Sequence, residues 1–235
     1  MEAKLDELVT RLKATYGDRL VSAILFGSAA SGDWTERASD LNVLCVLRQL
    51  SSRELGESQP IFRWWREQGN PPPLLMSSSE VSSSTDCFPI EFHDMKEHRR
   101  VLVGEDLIRD LAIDRSFYRA QIEHELRAKL LRLRQKAAET LSRSDALIKL
   151  LTDSVPTFCT LGRHGLLLAG REARKPKREL VADLEKVLNL RFDAFHTVLN
   201  IRSDGKVPPE TNAVLLFEKY LREIDAIIRF VDQLD

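Results

Sequence analysis

Cysteine is scarce in this sequence. Cys45, Cys87 and Cys159 are an odd, widely spaced set with no CxxC pair. That excludes a disulfide-stapled scaffold and a cysteine zinc cluster, and it fits a reducing compartment. Long apolar runs are also missing. Every run, that around Leu166–Leu167–Leu168 included, falls far short of the ~20 residues a membrane-spanning helix needs. The opening Met-Glu-Ala-Lys-Leu-Asp-Glu lacks the apolar core of a signal peptide, so a cytoplasmic location without membrane attachment is expected. No sign of charge dominates: 35 basic against 36 acidic side chains give a net charge of −1. A dedicated nucleic-acid binder would carry a strong basic excess, and this chain gives no strong nucleic-acid signal.

What is present is an ordinary globular composition, 43% apolar and 30% charged over 235 residues. That length holds one large domain or two small ones. Residues 1–110 carry 13 basic and 18 acidic side chains, and residues 111–235 carry 22 and 18, a modest asymmetry that suggests two parts.

The periodicities agree with that division. Leu5, Leu8, Val9 and Leu12 fall at i, i+3, i+4 and i+7, an amphipathic helix with Gly17 as its stop. Short apolar runs at 20–26 and 41–47 read as buried strands. Residues 48–70 include a helix broken by Pro71-Pro72-Pro73, after which 74–76 read as a third strand. The serine-rich stretch 77–85 reads as a solvent-facing loop, and the alternating 88–92 as a fourth strand. From about residue 111 the period turns helical. Ile122, Leu126, Leu130, Leu133, Ala137 and Leu141 form one stripe. Tyr220, Leu221, Ile224, Ile227, Ile228, Val231 and Leu234 form another. The expected fold is α+β: an N-terminal mixed sheet with flanking helices over 1–110 and an all-α bundle over 111–235.

One stretch carries chemistry. A strand ends in Gly27-Ser28, and a second begins with Ser39-Asp40-Leu41-Asn42. Strand alternation puts Asp40 and Asn42 on one face, ~7 Å apart. Glu91 on the fourth strand would join them if the strands are neighbours. Oxygen ligands gathered this way suit magnesium together with phosphate oxygens. Gly27 lets backbone approach a triphosphate, and the Ser28 hydroxyl and nearby amides bind its oxygens.

These residues resemble the nucleotidyltransferase superfamily, the polymerase-beta-like fold. Its hallmark is a strand ending in Gly-Ser, followed about a dozen residues on by an acid-x-acid pair. The later Arg100-Val101-Leu102-Val103-Gly104-Glu105-Asp106-Leu107 looks like the strand and turn after the third acid in bacterial members. Those members include aminoglycoside nucleotidyltransferases and carry a C-terminal helical domain. The resemblance covers Leu20–Leu107. It implies transfer of a nucleoside monophosphate from an NTP, ATP foremost, to a hydroxyl acceptor, either a small molecule or a protein. Gly27 and Ser28 would bind the nucleotide, and Asp40, Asn42 and Glu91 would organise Mg2+ and the catalysis. The family's second acid is here Asn42, which removes one negative charge from a site built for two cations ~3.5–4 Å apart. The alternative is therefore a catalytically impaired nucleotide-binding or regulatory protein, antitoxin-like or an interaction module. The helical half would then dock a second copy or a protein partner.

Other candidates have blander readings. Asp33 and Glu36 read as solvated loop acids. His93, His98, His124, His164 and His196 show no ligand spacing. Trp64 and Trp65 read as core rather than base-stacking platforms. The basic residues around Pro176 read as a solvated linker. An acid on the first long helix, Glu123 or Glu125, is an unsupported candidate for the general base.

Overall fold

The structure, a computed structural model, describes residues 1–31, 40–114, 116–172 and 175–234. The chain divides into two compact units, Met1–Ser116 and Phe117–Asp235.

The first unit opens with α1 (Glu2–Tyr16), whose Leu5, Leu8, Leu12 and Tyr16 are buried, and the helix stops at Gly17. Then follow β1 (Leu20–Phe26), α2 (Ser28–Ser31), β2 (Asn42–Leu47), α3 (Ser52–Glu67) and β3 (Leu74–Ser77). They lead to α4 (Ser78–Ser83), α5 (Pro89–Glu97) and β4 (Arg99–Gly104). The strands form one mixed sheet in the order β3-β2-β1-β4. β1 runs antiparallel to both β2 and β4, while β3 runs parallel to β2.

Alternation along the two central strands sorts the core into two layers. Ala23, Leu25, Val43, Cys45 and Leu47 pack with Leu5, Leu8, Leu12 and Tyr16 of α1 and with Ile61 and Trp65 of α3. Ile24, Leu44 and Val46 face the other way, against Val81 of α4, Phe92 and Met95 of α5, and Ile108. With both faces covered, β1 and β2 read as continuous apolar runs. Trp65 is fully buried, whereas Trp64 is partly buried beneath the Arg11 guanidinium, 4.5 Å from the ring centre.

Two expectations fail in this unit. Residues 88–92 are not a strand but the start of α5, with Pro89 in its first turn. Pro favours that position because its fixed φ suits the helix and its missing N–H would have no partner there. The burial of Phe92 and Met95 continues past the short alternation that suggested a strand. The fourth strand of the sheet is instead Arg99–Gly104. Nor is 77–85 wholly a loop. Ser77 and Glu80 form a reciprocal cap at the start of α4: Ser77 Oγ accepts from the Glu80 amide at 3.2 Å, and Glu80 Oε2 accepts from the Ser77 amide at 2.7 Å.

The second unit consists of α6 (Tyr118–Thr140), α7 (Ser144–Leu168), α8 (Lys177–Leu188), α9 (Asp193–Asp204) and α10 (Ala213–Asp232). The expected stripes face inward, except that Leu221 and Leu234 are half-buried and Leu141, just past the end of α6, is exposed. Phe158 of α7, Phe195 of α9 and Tyr220 of α10 meet ring to ring, with Tyr220 centred 6.0 Å from Phe158 and 4.8 Å from Phe195. Among the described residues, no helix is long and apolar enough to cross a membrane.

Candidate nucleotide site

The end of β1 and the start of β2 bring two of the expected residues together. Phe26 and Asn42 are cross-strand partners, so Gly27 leaves β1 beside the first residue of β2. Gly27 has φ +75°, and a Cβ built there would lie 3.3 Å from Asn42 Nδ2. Only glycine fits comfortably, because an L side chain is strained at that φ and would crowd the amide. Ser28 opens α2, and the Ala30 amide donates to the Gly27 carbonyl at 2.9 Å, closing the turn. Ala29 is buried against the core, which anchors this turn to the sheet.

Asn42 lies on the layer of Leu44 and Val46 by alternation and is half-buried. Asp40 precedes it and is exposed. Among the described residues, no cation pairs with Asp40. Leu41 between them is buried, and its amide donates to Asn70 Oδ1 at 3.2 Å. Asn70 carries no motif and was not among the sequence candidates. Its only local signal is its place between the end of α3 and the three prolines.

Glu91 departs most from expectation. It is an exposed residue in the first turn of α5, not a side chain on a strand. Beside Phe26, on the flank of β1 opposite Asn42, the sheet places Arg99. That guanidinium is held by both carboxylate oxygens of Asp106 at 2.8 and 2.9 Å, an ion pair that lowers the Asp106 pKa. Asp33, Glu36 and Ser39 lie outside the described residues.

Other titratable candidates are committed elsewhere. Glu123 bridges Arg127 at 2.7 Å and Arg119 at 3.0 Å. Arg127 foremost holds its carboxyl below the usual range, which makes it a poor general base. Glu125 pairs with Lys129 at 3.3 Å. His164 is fully buried, hydrogen-bonded to Tyr118 Oη through Nδ1 and 3.3 Å from Arg163 through Nε2. Burial pushes the Cys45 and Cys159 thiols up to about 12, so neither is a nucleophile at neutral pH.

Comparison with known proteins agrees with this architecture. Residues 5–133 match the model of the nucleotidyltransferase domain. No curated protein matches. Among solved structures, the chain is similar to spectinomycin adenyltransferase AAD(9) from Enterococcus faecialis, determined with ATP and spectinomycin. The TM-score is 0.64 at 13% identity, over 96% of this chain and 99% of that one. At that identity the likeness is one of fold. The family match spans more than half of the sequence and includes the Gly27 turn, Asp40 and Asn42, and on that ground this chain belongs to the nucleotidyltransferase-domain family.

Proposed function

We propose that the protein transfers a nucleoside monophosphate from a triphosphate, ATP foremost, to a hydroxyl acceptor. The observation that carries this reading is the contact between the Gly27 turn and Asn42, with Asp40 exposed beside it. Backbone at Gly27 and Ser28 binds the triphosphate, and the Asn42 carboxamide borders the same turn. Asp40 and Asn42 offer hard oxygens, one charged and one neutral. That donor set fits magnesium, which is commonly held by one or two carboxylates plus substrate phosphates. When bound there, magnesium would offset charge on the phosphate oxygens. Glu91 enters the proposal as an exposed carboxylate on the first turn of α5.

In the transfer, the acceptor oxygen forms a bond to the α-phosphorus as the bond to pyrophosphate breaks in line, and the hydroxyl proton passes to a base or water. A test is release of labelled pyrophosphate from ATP with magnesium across a panel of hydroxyl acceptors, spectinomycin among them. Acceptor-dependent release that vanishes in Asp40→Asn supports the transferase. Absence of release with every acceptor tried removes it.

One observation favours a second reading. Asn42 supplies a carboxamide where the family carries a carboxylate, which lowers the charge available to a cation pair. A protein that binds nucleotide without transferring it, acting as a regulator or an interaction module, follows from that loss. Tight ATP binding without pyrophosphate release, with Asp40→Asn changing nothing but nucleotide affinity, is its signature.

A further inference from the structure

We infer that Asn70 is a positioning residue for this site, holding the backbone between Asp40 and Asn42 so that both side chains present their oxygens together. The inference rests on the nucleotidyltransferase reading above.

Asn70 owes its place to the way α3 ends. The Gly69 amide donates to the Arg66 carbonyl at 2.9 Å and the Asn70 amide to the Trp65 carbonyl at 3.3 Å, the paired bonds of a Schellman stop. The three prolines that follow carry the chain to β3. Asn70 is left only 9% exposed beside the start of β2.

β2 has a strand on each side, but the two ladders do not begin level. On the β1 side pairing begins at Phe26 and Asn42, whereas on the β3 side it begins at Leu44 and Leu74. The stretch of β2 nearest the site therefore lacks a neighbouring strand on its β3 flank. Asn70 Oδ1 supplies an acceptor in its place, taking the Leu41 amide at 3.2 Å. That amide belongs to the peptide joining Asp40 to Leu41, so the bond holds the ligand-bearing backbone itself. Leu41 also anchors the stretch through its buried side chain.

Asn70 Nδ2 is also buried and has no hydrogen-bond partner among the described residues. A carboxamide beside the Asp40–Leu41 peptide is explained by what it does for that peptide. Partners that orient metal ligands from outside the coordination sphere are typically worth about 10–100-fold in metal affinity.

The test compares the whole protein with Asn70→Ala in two readouts. The first is titration with ATP, with and without magnesium. Magnesium-supported affinity should fall about ten-fold, while metal-free affinity changes by less than about two-fold, the reach of a merely local loosening. The second is amide exchange: Leu41 should lose protection while Leu44 and Val46 keep theirs. If Asn70→Ala does not fold, Asn70→Ser, whose shorter hydroxyl cannot reach Leu41 in the same way, is held to the same two readings. Equal loss of affinity with and without magnesium would mean a purely structural role and overturn the inference, as would an unchanged Leu41 exchange rate. If the parent binds ATP and the variant binds it equally well, the inference fails and the nucleotide reading stands. If the parent binds no ATP under either condition, the nucleotide reading fails and takes this inference with it.

Discussion

At position 42 a carboxamide stands where a carboxylate would double the charge offered to a cation, and its nitrogen borders the glycine turn proposed to hold phosphate. Asn42→Asp returns that charge and a second acceptor oxygen. Magnesium affinity of the ATP complex should rise about ten-fold, equivalent to ~1.4 kcal/mol, and metal titration of the ATP-bound protein checks it. Unchanged affinity would place the ion elsewhere. The turn itself is tested by Gly27→Val, which combines φ strain of ~1–2 kcal/mol with crowding of Asn42. ATP affinity should drop while far-ultraviolet dichroism stays close to that of the parent.

A different residue gives the helical unit a pH-dependent contribution to stability. Glu223 of α10 accepts from the Ala194 and Phe195 amides, both at 2.9 Å, at the start of α9. Burial, above all, raises its pKa to about 7 despite those two bonds, and Asp193 and Glu185 add repulsion. Because the folded pKa lies above the ordinary 4.5, the folded state binds the extra proton between those values. The resulting stability is fully present below about 4.5 and is lost as pH rises through about 7. Glu54 works in the opposite sense. The Ser51 hydroxyl foremost, with Arg19, lowers it to about 2, so its contribution holds above 4.5 and is lost as pH falls towards 2. Thermal unfolding of the parent should therefore weaken from pH 5 to 7, and Glu223→Gln should flatten that decline. A parent whose melting temperature does not fall over this interval would contradict the assignment.

At the scale of elements, short signals were outvoted by longer ones. Five alternating residues at 88–92 resemble a strand, but Pro89 starts a helix whose apolar spacing runs on to Met95. The serine run hides a capping pair three residues apart, Ser77 and Glu80, with Val81 as the buried anchor. Ser77→Ala removes that cap and should cost about 1 kcal/mol, read by denaturant unfolding. β4 ends at Gly104, where φ is +82° and a Cβ would lie 1.9 Å from the Val21 carbonyl oxygen. Ser22 Oγ fastens the same turn by donating to the Glu105 carbonyl at 2.6 Å. Gly104→Ala should cost at least ~2 kcal/mol, since relief requires moving the backbone of β1.

At the scale of the whole molecule, all three tryptophans, Trp34, Trp64 and Trp65, belong to the unit that holds the candidate site. Tryptophan fluorescence therefore reports the unfolding of that unit, while far-ultraviolet dichroism also registers the helices of the other. ATP with magnesium at a hundred times its dissociation constant should stabilise the native state by about 2.7 kcal/mol. The fluorescence midpoint should then rise by about 5–10 °C. No shift at saturating ATP would remove nucleotide binding from the account.

The sequence by itself determined the two central strands, the Gly27 turn between them and the helical second half. Each rests on a local pattern: an apolar run covered on both faces, a glycine at a strand end, or a repeat of 3.6 residues. The approach of Gly27 to Asn42 follows from the antiparallel pairing of β1 with β2, which brings the end of one beside the start of the other. Tertiary structure alone put Glu91 on a helix, since 88–92 could join the sheet as a strand or pack on it as α5. It alone revealed Asn70, which lies 29 residues from the amide it holds. A hydrogen bond between a loop carboxamide and a distant backbone amide leaves no periodicity or spacing in the chain. It exists only once β3 lies beside β2 and leaves the first residues of β2 without a neighbour on that flank.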